Sequence, residues 1–152
     1  MRKVREQIRH LTLEAGVARV DRLADVRTFI RDSVAAFGGS RRASDDLVQA
    51  VDEAVCNVML HGYAGEPGKV EIETALRDRR IEVRILDRAR PFDPTAAPDF
   101  DPEHPTRGMR RGGMGVGVHL LRTMTDAVHH SARPNGGNEL TLVRSIDDPE
   151  ED

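Results

Sequence analysis

The 152-residue chain has no tryptophan, one tyrosine and four phenylalanines, so aliphatic side chains must build its core. Aromatics this sparse do not make the stacked platforms that hold single-stranded nucleic acid. Positive charge is not in excess either: 23 Lys and Arg stand against 26 Asp and Glu, a net charge of −3. Such a balance gives no reason to expect nucleic acid or an anionic membrane as partner. The one cysteine, Cys56, excludes a disulfide framework within the chain and suits a reducing compartment. Among apolar neighbours it reads as a small core residue. No apolar run approaches the length of a membrane span, and the opening MRKVREQIRH has no signal-peptide stretch. A cytoplasmic location is the expectation.

What is present describes a globular domain. Hydrophobic residues make up 38% and charged residues 32%, which carries no signature of disorder. The length suits one domain with a single core, expected over residues 1–146, with 147–152 a frayed acidic tail. Alternation predicts strands over 8–14, 69–76 and 81–86, the last two joined by a charged hairpin turn over 77–80. Helical spacing predicts a helix over 21–37, stopped by Gly38-Gly39, and a second one begun by Ser44 as N-cap with Asp45 and Asp46 in its first turn. That helix should end at Gly62. Residues 88–111 hold five prolines and no period, which marks a long functional loop. A glycine-rich run, 112–117, then opens a short helix, and strands over 127–132 and 139–146 close the chain. The predicted architecture is a two-layer α/β (α+β) sandwich with helices on one face of a mixed, mostly antiparallel sheet.

Three polar residues on the second helix stand out. In DDLVQAVDEAVCNVMLH, Leu47, Val51, Ala54, Val55 and Val58 form an apolar face, and Glu53, Asn57 and His61 follow its edge four residues apart. Polar groups beside a core are expensive to bury unless they meet something polar. Asn57 offers an oxygen suited to Mg²⁺; Glu53 could orient or deprotonate a hydroxyl or water attacking a γ-phosphate. The alternative is a hydrogen-bond network along the helix edge. His61 reads first as a helix C-terminal residue. Asp87 ends the strand IEVRIL and is either a turn former or an acceptor for an exocyclic amine such as that of adenine. The run GGMGVGVHLLR fits an anion cradle at a helix N-terminus, although it is neither a Walker loop nor a dinucleotide fingerprint. His129 and His130 are adjacent on a strand, face opposite sides, and make no metal pair.

Four segments in order, VDEAVCNVMLHGY, ILDRARPFD, GMGVGVHLLRTMTD and GGNELTL, resemble the boxes of the Bergerat-fold ATPases and kinases, the GHKL superfamily. More narrowly the chain resembles the bacterial anti-sigma factor serine kinases over nearly its whole length. The resemblance implies ATP and Mg²⁺, with Asn57 as metal ligand, Glu53 as general base or its orienter, and Asp87 on the adenine amino group. Further nucleotide-binding positions implied by the boxes are His61, Ala89, Phe92, Gly113, Gly115, Val116, Gly117 and, near the adenine, Thr141. Arg27 would take part in phosphoryl transfer and partner contact, and residues 95–111, with Arg107, Arg110 and Arg111, would be the ATP lid. One departure is plain: the family's Asp-x-Gly is here Asp87-Arg88-Ala89, where an alanine would be strained at positive φ or would crowd the base.

The implied activity is that of a protein serine/threonine kinase that phosphorylates a small anti-sigma-factor antagonist protein and sequesters a sigma factor, as a homodimer, without direct contact to nucleic acid or membrane. The alternative is a nucleotide-gated adaptor of the same fold that transfers nothing; Ala89 favours it, while Glu53 and Asn57 favour the kinase. A histidine-kinase fragment is the weaker third reading, since no phosphoacceptor helical domain precedes the fold.

Overall fold

Strict alternation marks the strands at the centre of the sheet. In the strand Arg80–Asp87, Ile81, Val83, Ile85 and Asp87 are buried while the residues between them are partly covered, the period of a strand with one face on a core. In the computed structural model, which describes residues 7–15, 21–64, 66–91, 93 and 114–148, this strand is one of five that form one sheet. They are β1 (Gln7–Ala15), β2 (Gly68–Arg77), β3 (Arg80–Asp87), β4 (Ala127–Ala132) and β5 (Asn138–Ser145), in the order β1-β2-β3-β5-β4. Every neighbouring pair is antiparallel, so the sheet is simpler than the mixed one expected. The β2–β3 turn has two residues, Asp78 and Arg79, both at positive φ (49° and 62°), as a tight hairpin following the right-handed twist requires.

Helices α1 (Arg22–Ala36), α2 (Arg41–Asn57) and α3 (Met114–Met124) contribute to one aliphatic core with the sheet. Ile30 of α1, Leu47, Val51 and Val55 of α2, Leu121 of α3, and Ile72, Ile81, Ile85 and Leu142 of the sheet are all nearly inaccessible. Each such side chain contributes roughly 1.5–3 kcal/mol through burial. A buried hydrogen bond of 3.0 Å from Thr74 Oγ1 of β2 to Ser33 Oγ of α1 fixes one helix on the sheet without leaving a hydroxyl unpaired.

The helix starts differ from expectation in one place. Ser40, not Ser44, caps α2: its Oγ accepts from the Ala43 N–H at 3.0 Å. Gly38 at φ +77° ends α1 so tightly that the chain reaches the next cap two residues later. Asp45 and Asp46 therefore lie beyond the first turn, and each meets an arginine instead: Arg31 at 3.1 Å and the buried Arg144 at 3.1 Å. The start of the acidic tail is also anchored rather than frayed. Arg79 makes a two-pronged contact with Asp147, and Ser40 Oγ donates to Asp148 Oδ1 at 2.6 Å.

Candidate functional site

The last turn of α2 does not run on as an α-helix. Val58–Gly62 is a π turn, closed by a Tyr63 N–H to Val58 carbonyl bond of 2.8 Å. A π turn inside or after an α-helix often marks a functional site. Its wider turn takes His61 out of the α-helical row that carries Glu53 and Asn57, so the three-residue stripe read from the sequence is a pair with an offset histidine. All three side chains are partly buried. Among the described residues, none makes a hydrogen bond or ion pair with Glu53, Asn57 or His61. The hydrogen-bond network offered as the alternative for Glu53 and Asn57 is therefore not found among the described residues.

Asp87, by contrast, is 3% exposed and held on several sides. Its Oδ1 accepts from the Ala89 N–H at 2.8 Å and from Asn138 Nδ2 at 3.0 Å. Its backbone carbonyl accepts from Arg133 Nη1 at 2.9 Å. Gly137, at φ +106°, lets β5 start against this backbone: a Cβ there would stand 2.0 Å from the Asp87 carbonyl oxygen. Oδ2 has no donor among the described residues. A carboxylate with one oxygen saturated and the other free presents a single, oriented acceptor.

The loop after Asp87 meets the end of the π turn. Ala89 is 5% exposed and is not among the residues at positive φ, which outside glycine are Ala64, Asp78 and Arg79 in the described chain. The strain foreseen for an alanine here is absent. Its methyl lies toward Gly62, where an added Cβ would come within 2.9 Å of it. Tyr63 joins the same pieces: its hydroxyl accepts from the Arg88 N–H at 2.8 Å and donates to the Lys69 carbonyl at 2.7 Å. Burial, chiefly, raises the Tyr63 pKa, with Asp87 adding to the effect, and so keeps the hydroxyl in the protonated form this double bond needs.

Arg27 of α1 reaches α2 but not as a free guanidinium. It grips Asp52 with Nε–Oδ1 at 3.0 Å and Nη2–Oδ2 at 2.9 Å, a fork-to-fork pair that raises its pKa. Asp52 precedes Glu53 in sequence, so the pair brings Arg27 beside the turn that holds Glu53. Cys56, one turn further on, is half-buried rather than fully enclosed; burial first, then Asp52 and Glu53, push its thiol pKa up. This makes it a poor nucleophile.

Thr141 is not part of the Asp87 side. On β5 the buried side chains are Asn138, Leu140, Leu142 and Arg144, so Thr141 points to the other face, opposite Arg84 and His129. The two-residue strand period decides this, and the β5 side chain that meets Asp87 is Asn138. Behind it stands His130, whose Nε2 is 2.8 Å from Asn138 Oδ1. Gly115, Val116 and Gly117 fall in the first turn of α3, the part of a helix whose backbone N–H groups and dipole favour an anion. Phe92, Gly113 and residues 95–111 with Arg107, Arg110 and Arg111 lie outside the described residues. Tyr63, Asn138, His130 and Arg133 were not foreseen as site residues. A lone tyrosine at the end of a polar helix stripe was the only available signal.

The π turn after α2 meets the loop that follows Asp87 through Gly62 with Ala89 and Tyr63 with Arg88, and α3 packs on α2. A carboxylate and an amide on α2 with no partner among the described residues, and an oriented acceptor at Asp87, are groups of the kind that an amino-bearing ring with phosphates uses. The sequence pattern of the histidine kinase-like ATPase domain matches residues 16–144, and nucleotide is the ligand class that such a domain uses. The chain is 32% identical over 97 residues to the serine-protein kinase RsbW of Oceanobacillus iheyensis, covering 60% of each chain. It is 30% identical over 124 residues to the anti-sigma F factor of Clostridium acetobutylicum, covering 78% of this chain and 85% of that protein. A further RsbW, from Listeria monocytogenes, is 32% identical over 96 residues. The chain thus belongs to the histidine kinase-like ATPase family, on the branch shared by these serine kinases and anti-sigma factors. It spans 60% of the length of the RsbW relatives it matches.

Proposed function

We propose that the chain is an ATP-dependent protein serine/threonine kinase that acts as an anti-sigma factor, phosphorylating a small antagonist protein and sequestering a sigma factor. The observation that carries the reading is the pair Glu53 and Asn57, one turn apart, partly buried, and engaged by no other described side chain. An adaptor has no use for a poised carboxylate, and the feature that favoured an adaptor, Ala89, sits unstrained against Gly62.

In this reading Asp87 Oδ2 accepts the adenine amino group and the first turn of α3 faces the phosphates. Asn57 would hold Mg²⁺, whose charge, when bound, would offset that of the phosphates. The donor set fits: a neutral amide oxygen supplies one ligand and leaves the rest to water and phosphate. Glu53 takes the proton of the attacking serine hydroxyl while the serine oxygen bonds to the γ-phosphorus and the bond from that phosphorus to the β–γ bridging oxygen breaks, releasing ADP. Arg27, positioned by Asp52, adds positive charge beside that turn. Residues 95–111 form the lid, 1–146 the domain, and the protein works as a homodimer in the cytoplasm. The test is transfer of γ-labelled phosphate from Mg·ATP to serine of each small antagonist protein of the source cell. Label on one of them is expected; nucleotide binding without label on any would make the chain an adaptor.

A further inference from the structure

Asn138 and His130 form a hydrogen-bonded chain that ends on Asp87, and its chemistry has only one consistent direction. Asn138 lies directly across from Asp87 in the β3–β5 ladder and is 7% exposed. Its amide nitrogen lies 3.0 Å from Asp87 Oδ1 and 3.2 Å from the Arg90 carbonyl. Turning the amide over would set its oxygen against a carboxylate and a carbonyl, three acceptors with no proton between them. With the nitrogen fixed there, Asn138 Oδ1 faces His130 Nε2 at 2.8 Å, so Nε2 must carry the proton and donate. The His130 side chain is 8% exposed, and its Nδ1 lies 3.8 Å from Asp93 Oδ1.

The consequence lies at the other oxygen. Donors from Ala89 and Asn138 converge on Oδ1, which fixes the carboxylate plane and leaves Oδ2 as the acceptor presented to a ligand. We propose that Asn138, backed by His130, is a positioning residue that sets the base specificity of the site: it holds Asp87 so that Oδ2 accepts from a 6-amino group and disfavours a base that offers a carbonyl there. A buried acceptor left unmatched is costly. The inference rests on the nucleotide reading of the site and deepens it.

The experiment compares the affinity of the full chain for ATP and for inosine triphosphate, whose ring carries a carbonyl in place of the 6-amino group, by titration calorimetry. It uses wild type, Asn138→Ala, His130→Ala and His130→Gln, the last retaining a donor toward Asn138, with melting curves to show that each variant is folded. The wild type should prefer ATP by about 10- to 100-fold, as expected for one hydrogen bond to a charged group. Asn138→Ala and His130→Ala should lose most of that preference through weaker ATP binding, with inosine triphosphate little changed; His130→Gln should restore it. A preference undiminished in Asn138→Ala, or parallel loss of both nucleotides, would overturn the inference while the wild type still bound ATP. A wild type that bound neither nucleotide would overturn the nucleotide reading as well.

Discussion

The two ends of the site are built in opposite ways. Around Asp87 every group but Oδ2 is held: Oδ1 by Ala89 and Asn138, the carbonyl by Arg133, and the following residue by Tyr63. Around Glu53 and Asn57 no described side chain binds the functional groups. A recognition group works best when the protein has fixed its direction before the ligand arrives. Groups that must meet a metal or a moving proton are of use only when they are not already satisfied by neighbours. The Asp87 end should therefore answer to mutation in stability and affinity together, Glu53 in chemistry alone, and Asn57 in the Mg²⁺-dependent part of binding.

The largest separation is expected from Glu53→Gln. Loss of a general base lowers transfer by about 10²- to 10⁴-fold, while nucleotide affinity and melting temperature stay near wild type. A fully active variant removes Glu53 from the role of base. At the other end, Gly137→Ala should destabilise the fold by about 1–3 kcal/mol from the left-handed backbone, with the clash against the Asp87 carbonyl added. Chemical denaturation reads this; a neutral result would mean that β5 starts further from Asp87.

Where the two ends meet, Gly62→Ala should cost about 1–3 kcal/mol, the usual penalty of overpacking, because the new Cβ would meet the Ala89 methyl at 2.9 Å. Adding Ala89→Gly should recover part of the loss. Additivity in this double-mutant cycle would show that the two positions do not touch.

The smallest effect concerns pH at Cys56. Its thiol pKa is raised in the folded chain, so the folded state resists ionisation that the unfolded state accepts from about pH 8.5 upward. Below that pH the thiol takes nothing from stability; as pH rises through and beyond it, stability falls. Melting temperature against pH should decline more steeply above about pH 8.5 in wild type than in Cys56→Ala. Equal slopes would place the thiol in an ordinary solvent environment.

The sequence was most legible where a period governs. Strands β2 to β5 and the two long helices follow apolar spacing, and their extents differ from expectation by a residue or so at most ends. Caps were less legible, since Ser40 and Ser44 are equally good residues and only the tightness of the Gly38 turn selects the first. Residue roles on α2 and at Asp87 were visible because they are polar groups set against an apolar pattern. On β5 the choice between Thr141 and Asn138 turned on strand register, and one step along a strand reverses the face. The π turn has no sequence signature in this chain, so the offset of His61 could not be foreseen. Nor could contacts between distant segments, such as Tyr63 with Arg88 or Gly62 with Ala89.

The most direct measurement is calorimetric titration of the purified chain with ATP and ADP, with and without Mg²⁺, beside Asp87→Asn. Binding that strengthens with Mg²⁺ and is lost or greatly weakened in Asp87→Asn is the expected result. Absence of wild-type binding at millimolar nucleotide, or undiminished binding by Asp87→Asn, would contradict the assignment of this site to a nucleotide base held by Asp87.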